Sequence, residues 1–224
     1  MTEIAPQIAT PAGAEPMPAA QPVRQRRPRP VPGAPRAPHP VLEQLFELHP
    51  AMFGARFHPL KLGSFEDLMA RHPGVFKKED LKIALGQHAR STRYLECVAM
   101  GEPRHDLDGH PVEPVAPEHV FHAIVEVFRR RQGRGRSDPR PWLHQRLLAL
   151  AESSGLSREA WTERLPAGDG TVAAAVQEVF AELAGRAARR EALRRAYAAS
   201  GKTVAEFADM YGMDAVAVQQ AIAD

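Results

Sequence analysis

Apolar residues begin to recur at helical spacing from Val41 onward. Val41, Leu42, Leu45, Phe46 and Leu48 mark a first helix. The His49-Pro50 step should end it, because a residue before proline disfavours the α region. Residues 59–63 read as a short extended segment or turn. Ser64 is expected to cap a second helix, with Asp67 three residues on and Phe65, Leu68 and Met69 facing inward. Pro73-Gly74 breaks that helix. A third is expected from about residue 78 to 87, with Leu81, Ala84 and Leu85 as its buried stripe. Lys78 and Lys82, four apart, then share another face. Gly86 near its end costs about 1 kcal/mol against Ala or serves as a stop. Ser91 can cap a further helix reaching about Met100. Residues 104–112 read as a β-hairpin, in which Asp108-Gly109 would supply the positive φ values of a type I′ turn. Pro117 and Glu118 open a helix with Val120, Phe121, Ile124, Val125, Val127 and Phe128 as its apolar positions. It should close with Arg129, Arg130 and Arg131.

The last third reads as a doubled helical unit. Shifted by 57 residues, Ala151 meets Ala208, Gly155 meets Gly212, Leu156 meets Met213, Trp161 meets Val218 and Leu165 meets Ile222. The spacing resembles a helix-turn-helix, in which Ala lets two helices approach, Gly takes a left-handed turn and a later apolar residue packs back. A long helix rich in Ala and Arg, from Val172 to about Tyr197, separates the copies. The candidate recognition helix of the second copy, residues 214–222, carries no Lys or Arg, which opposes major-groove reading.

Residues 1–38 show no apolar periodicity. Eleven of the 21 prolines fall in the first forty residues, so this arm is expected to be disordered, with stiff polyproline stretches. Beyond it, the 44% apolar and 25% charged composition suffices for a core. The organisation expected is an arm at 1–38, a first domain at 39–131, a basic linker at 132–139 and a helical module at 140–224. Charge is uneven: five Arg against Glu3 and Glu15 in the arm, near balance over 39–137, and a net −2 over 138–224. A basic arm on a near-neutral body fits a polyanionic partner. No window approaches eighteen uncharged apolar residues, so no membrane span is expected. The start lacks a basic region followed by an apolar run, so no signal peptide is expected and the compartment is read as cytoplasmic.

One cysteine, Cys97, excludes an intramolecular disulfide framework and a multi-cysteine zinc site. No phosphate loop, dinucleotide fingerprint or His-Glu-x-x-His is present. His119 and His122 lack an obvious third metal ligand, and Asp106-x-Asp108-Gly109 lacks the rest of a calcium loop. No acid/base pair assembles. The chain is read as a non-enzyme without cofactor or metal.

What remains is a constellation of Lys61, Lys78, Lys82, Arg90, Arg93, Tyr94 and Arg104 around the hydroxyls of Ser91 and Thr92. Phosphates are held by cations, hydroxyls and free N–H groups converging at a helix N-terminus, and an exposed Tyr offers a stacking face. Each cation alone is equally a solvated surface charge, and Tyr94 equally a core ring.

The ordered segments Pro59-Leu60-Lys61-Leu62-Gly63-x-Phe65-x-Asp67-Leu68, Leu81-Lys82-x-Ala84-Leu85, Ser91-x-Arg93-Tyr94-Leu95 and Arg104-x-Asp106-Leu107-Asp108-Gly109 resemble the ProQ/FinO family of bacterial RNA chaperones over residues ~40–131. The resemblance implies a mainly α fold with short β-hairpins, followed here by an all-α C-terminal module. It also implies binding of small regulatory RNAs and mRNA 3′ ends, through a terminator-like stem with a single-stranded 3′ tail. By motif position Lys61, Lys78, Lys82, Arg93, Tyr94 and Arg104 fall where the family contacts RNA. Gly86 stands where the family often has a second Arg, and His88 and Thr92 replace aromatic residues. Arg90 is placed to restore the charge. Arg129, Arg130, Arg131, Arg134 and Arg136 are expected to add sequence-independent affinity. Two other readings stand beside this one: a DNA-binding regulator using the C-terminal unit, and an adaptor whose C-terminal helices self-associate or bind protein.

Overall fold

The computed structural model describes residues 38–135, 137–165 and 168–223. The expected disordered arm and Arg136 therefore lie outside the described residues. The elements run α1 (Pro40–Leu48), α2 (Pro50–Phe53), α3 (Ser64–Arg71), α4 (Lys78–Ala89), α5 (Thr92–Ala99), β1 (Arg104–His105), β2 (Pro111–Glu113), α6 (Pro117–Arg134), α7 (Arg140–Ser154), α8 (Arg158–Arg164), α9 (Gly170–Ser200), α10 (Val204–Tyr211) and α11 (Ala215–Ala223). The described residues are thus mostly helical, with one small antiparallel sheet among them.

Three apolar cores organise these elements. Leu45, Met52, Leu68, Leu81, Ala84 and Leu107 join α1 to α4 with the hairpin. A larger core runs from α5 through α6, α7 and α8 to the first half of α9. Phe207, Ala208 and Val218 form a third, against Leu193 and Tyr197 of α9.

Local chemistry accounts for most boundaries. His49 both closes α1 and precedes Pro50, whose missing N–H costs nothing at the first position of α2. The Ser91 hydroxyl accepts the Tyr94 N–H at the start of α5. Ser64, expected as a cap, is instead the first residue of α3. Gly63 precedes it at φ 83°, and the buried Ser64 hydroxyl donates to the Lys61 carbonyl at 2.6 Å.

The hairpin also differs from a type I′ turn, since among the described residues no non-glycine residue has positive φ. Within the hairpin, residues 104–113, Gly109 alone is left-handed, at φ 84°. The Gly109 N–H donates to the Asp106 carbonyl and the Asp106 N–H to that of His110, so a four-residue turn ends on the left-handed glycine, and the ladder shifts register farther along, between Arg104 and His105. The Asp106 carboxylate accepts the N–H groups of Asp108 and His110, and these bonds hold its pKa below the usual range. Residues 59–61 add a third stretch of backbone beside β1: the His105 N–H donates to the Pro59 carbonyl and the Lys61 N–H to that of His105.

Helix α6 runs one turn beyond the triple arginine. Residues 132–134, expected as linker, are helical, and Gly135 at φ 59° ends the helix. Nothing in Gln132-Gly133-Arg134 is incompatible with another turn.

The 57-residue repeat is visible in three dimensions. Gly155 and Gly212 end α7 and α10 in the same left-handed conformation, at φ 61° and 63°. Ala151 and Ala208 are buried alongside, as are Trp161 and Val218. α9 serves both copies, packing against α7 with its first half and carrying α10–α11 at its end. α6 packs on the first copy, where Phe121 meets Trp161 edge-on.

On α4 the buried stripe continues one turn past Leu85, to His88. This ring packs among those of Phe53, Phe57 and Tyr94, with centroids 4.9, 4.6 and 5.0 Å away. Its Nε2 is buried without a partner, and burial pushes its pKa down to about 4. Above pH 6.5 the ring is neutral whether the chain is folded or not. Below that, the unfolded chain takes up a proton that the folded protein refuses until about pH 4. Stability should therefore fall across that window, by on the order of 3 kcal/mol from this residue. His88→Leu should lessen the drop in melting temperature between pH 7 and pH 4.5. Equal drops in the two proteins would count against the burial argument.

Candidate nucleic-acid interface

The sequence-predicted residues fall into two sets: cations left free, and side chains occupied in holding the fold. Lys78, Lys82, Gly86 and Arg90 follow one another at four-residue intervals along α4 and its C-cap. Lys78, Lys82 and Arg90 are exposed, and among the described residues none forms an ion pair. The absence of a side chain at Gly86 has a visible use. A Cβ there would lie 3.2 and 3.3 Å from the two terminal nitrogens of Arg90. The Arg90 guanidinium thus folds back over Gly86 and fills the gap in the row, so the positive stripe stays continuous.

The stripe leads into the α4–α5 turn. Arg130, from α6, donates to the Arg90 carbonyl at 2.9 Å and to the Thr92 hydroxyl at 3.1 Å. Its other nitrogens are held by Glu126. It is the clamp that fixes this turn, a role that its place in a run of arginines could not reveal. Beyond the turn, the cap spends Ser91 on the N–H groups of Tyr94 and Leu95. It leaves those of Thr92 and Arg93 at the positive end of α5, an arrangement suited to an anionic oxygen.

The other expected contacts are tied down. The Lys61 ammonium meets Asp67 at 2.7 Å, and that bond raises its pKa. Arg104 donates to the Leu60 carbonyl, lies 3.0 Å from His119 Nδ1 and 3.8 Å from Glu113. It stitches residue 60 to the hairpin and to α6. Tyr94 is not a stacking face. Its ring is 9% exposed, and its hydroxyl accepts the Leu60 N–H at 3.1 Å. Burial raises the phenol pKa. Arg93 turns from the stripe onto Phe57, 4.3 Å from the ring centroid, and donates to the Ala55 carbonyl.

The basic end of α6 is divided too. Arg131 bonds Glu96 and lies over Trp142. Arg129 and Arg134 are exposed. Cys97 donates its thiol hydrogen to the Tyr94 carbonyl, and burial pushes its pKa up to about 12, which disfavours the thiolate form. Two features escaped the sequence reading. Arg71 grips Asp108 through both nitrogens, at 2.6 and 2.9 Å, locking α3 to the hairpin. Arg56 and Phe57 line one groove with Trp142, 85 residues beyond Phe57, and no short motif signals that.

Within the described residues no helix is long and apolar enough to cross a membrane. The ProQ/FINO family model matches residues 36–139. The RNA chaperone ProQ of Shewanella amazonensis is 40% identical over 87 residues, covering 37% of this chain and 40% of that protein. The RNA chaperone ProQ of Aeromonas salmonicida is also 40% identical over 87 residues, covering 37% and 41%. The chain thus spans about two fifths of the length of the curated relatives it matches. Among solved structures, a FinO-like RNA chaperone from Neisseria meningitidis is 30% identical, with a TM-score of 0.34 over 37% of this chain and 85% of that one. A ProQ homolog from Legionella pneumophila is 27% identical, with a TM-score of 0.35 over 47% and 93%. Helices α1 to α6, the hairpin and the basic stripe lie within the matched segment, and residues 36–139 of this chain are a ProQ/FinO-family domain.

Proposed function

We propose that this chain is a non-catalytic RNA chaperone of the cytoplasm. In this reading it grips small regulatory RNAs and mRNA 3′ ends by a terminator-like stem and its single-stranded 3′ tail, and so regulates gene expression after transcription. The observation that carries the reading is the unpaired stripe of Lys78, Lys82 and Arg90, running into the free N–H groups of Thr92 and Arg93. A-form RNA has a major groove too deep and narrow for side chains to read, so a small domain holds phosphates and 2′-hydroxyls instead. A row of cations at about 6 Å intervals along one helix suits that task. In this reading the N-terminus of α5 takes the phosphate or hydroxyl at the 3′ end. Lys61, Arg104, Tyr94 and Arg130 serve RNA indirectly in this scheme, by fixing the turn and the strand beside it. Arg129 and Arg134 add diffuse attraction.

A terminator hairpin with a 3′ U-tail, titrated into the full chain at several salt concentrations, tests the reading. The Lys78→Ala/Lys82→Ala variant should lower the log–log salt slope by about 1.8, since each duplex phosphate contact contributes about 0.9. An unchanged slope would move the RNA face elsewhere.

Gly86→Ala gives a sharper signature, because its two effects have opposite sign. Alanine in place of glycine should stabilise α4 by up to about 1 kcal/mol. The new methyl should also lift Arg90 off the stripe and weaken hairpin binding about threefold, the scale of one exposed charge pair. Melting temperature and affinity measured on the same sample check both. A stabilised variant with undiminished affinity would show that Arg90 takes no part.

A further inference from the structure

A groove of about 390 Å³ opens where the loop after α2, the outer face of α5, the end of α6 and the start of α7 meet. Two of its walls share one construction. Arg93 lies on the Phe57 ring, and Arg131 lies on the Trp142 ring, each 4.3 Å from the centroid. Arg56 stands at the rim, its side chain 73% exposed, and bonds Glu102 at 2.8 Å. Arg131 bonds Glu96. Three guanidinium groups thus face two carboxylates, which leaves the groove positive. Met100 supplies an exposed apolar patch, and Arg146 reaches its sulfur from α7 with an Nε that is buried and unpartnered.

We propose that this groove binds one unpaired nucleotide of RNA, its base against the guanidinium–aromatic stacks and its phosphate at Arg56 and Arg93. The inference rests on the RNA-binding reading above and adds a site to it. A guanidinium held over a ring can keep an outer face for a base and edge N–H groups for phosphate oxygens. Its size falls at the lower end of small-molecule sites. A paired base has both faces and its Watson–Crick edge occupied, so only single-stranded RNA presents a nucleotide that fits. An acidic peptide matches the charge but brings no flat group for two stacked guanidiniums. Trp142 lies past residue 139, where the family match ends, so the groove is built jointly by the ProQ/FinO domain and the helices that follow it.

The site carries its own reporter. Trp142 is partly exposed in the groove, whereas Trp161 is 1% exposed in the core. Titration of the full chain with a six-residue single-stranded oligouridylate should quench tryptophan fluorescence saturably. Trp142→Phe, which keeps a ring against α6, should remove the quenching. Arg56→Ala, at an exposed position, should weaken oligomer binding by about tenfold, the scale of one lost stack or charged contact, and weaken a blunt hairpin less. Absence of quenching while the tailed hairpin still binds would sink the groove and leave the RNA reading standing. Failure of both RNAs to bind would sink both. Quenching unchanged by Arg56→Ala, or reproduced at equal affinity by a polyglutamate peptide, would also overturn the nucleotide assignment.

Discussion

Helix α6 is buried on both flanks, and the arrangement of the rest follows from that. Seven of its residues, from Val120 to Phe128, are in the core, too many for a single face. α5 takes one side and α7 the other. Each large apolar side chain buried there contributes roughly 1.5–3 kcal/mol, so neither neighbour can leave without exposing a strip of core. The same helix sends Arg130 to the α4–α5 turn and Arg131 to Trp142. It therefore fixes the basic stripe on one side and positions the helical extension on the other.

The arginines and lysines show how a sequence of modest net charge makes a directed surface. Lys61, Arg71, Arg104 and Arg130 spend their charge on specific carboxylates or carbonyls of the fold. Their positive charge is largely cancelled where it stands. Lys78, Lys82 and Arg90 are left uncancelled on one side of α4, and there the field reaches solvent. The acidic residues of the first turn, Glu79 and Asp80, complement the dipole of α4 rather than pair with this row.

Helical periodicity and capping chemistry were legible in the sequence because they are local. Ser91 before α5, Pro at the first position of α1 and α6, and the Gly155/Gly212 pair all depend on a few consecutive residues. The departures come from tertiary partners. Ser64 lost its capping place to Gly63 because its hydroxyl is drawn to the Lys61 carbonyl. His88 was read as a substituted aromatic position and turned out to be the core ring between Phe53, Phe57 and Tyr94. The family motif named the Arg93-Tyr94 pair but not its directions: the phenol points inward to Leu60, the guanidinium sideways onto Phe57. The groove at Trp142 was invisible for the same reason, since it is made by residues that meet only after α6 and α7 have packed.

The shared helix α9 has unequal support along its length. Its first half is enclosed by α7 and α8 through Val172, Val176 and Val179. Among the described residues its last turns are covered by α10 and α11 alone, through a core of Phe207, Ala208 and Val218, while Met210, Tyr211 and Val216 are exposed. Detaching that hairpin exposes far less apolar surface than opening the α5–α9 core, so it opens at a smaller free energy and as its own unit. Amide protons near Tyr197 should exchange when α10–α11 lifts away, whereas those near Val176 should wait for the large core to come apart. The α10–α11 hairpin is therefore expected to open before the basic stripe on α4 as temperature rises.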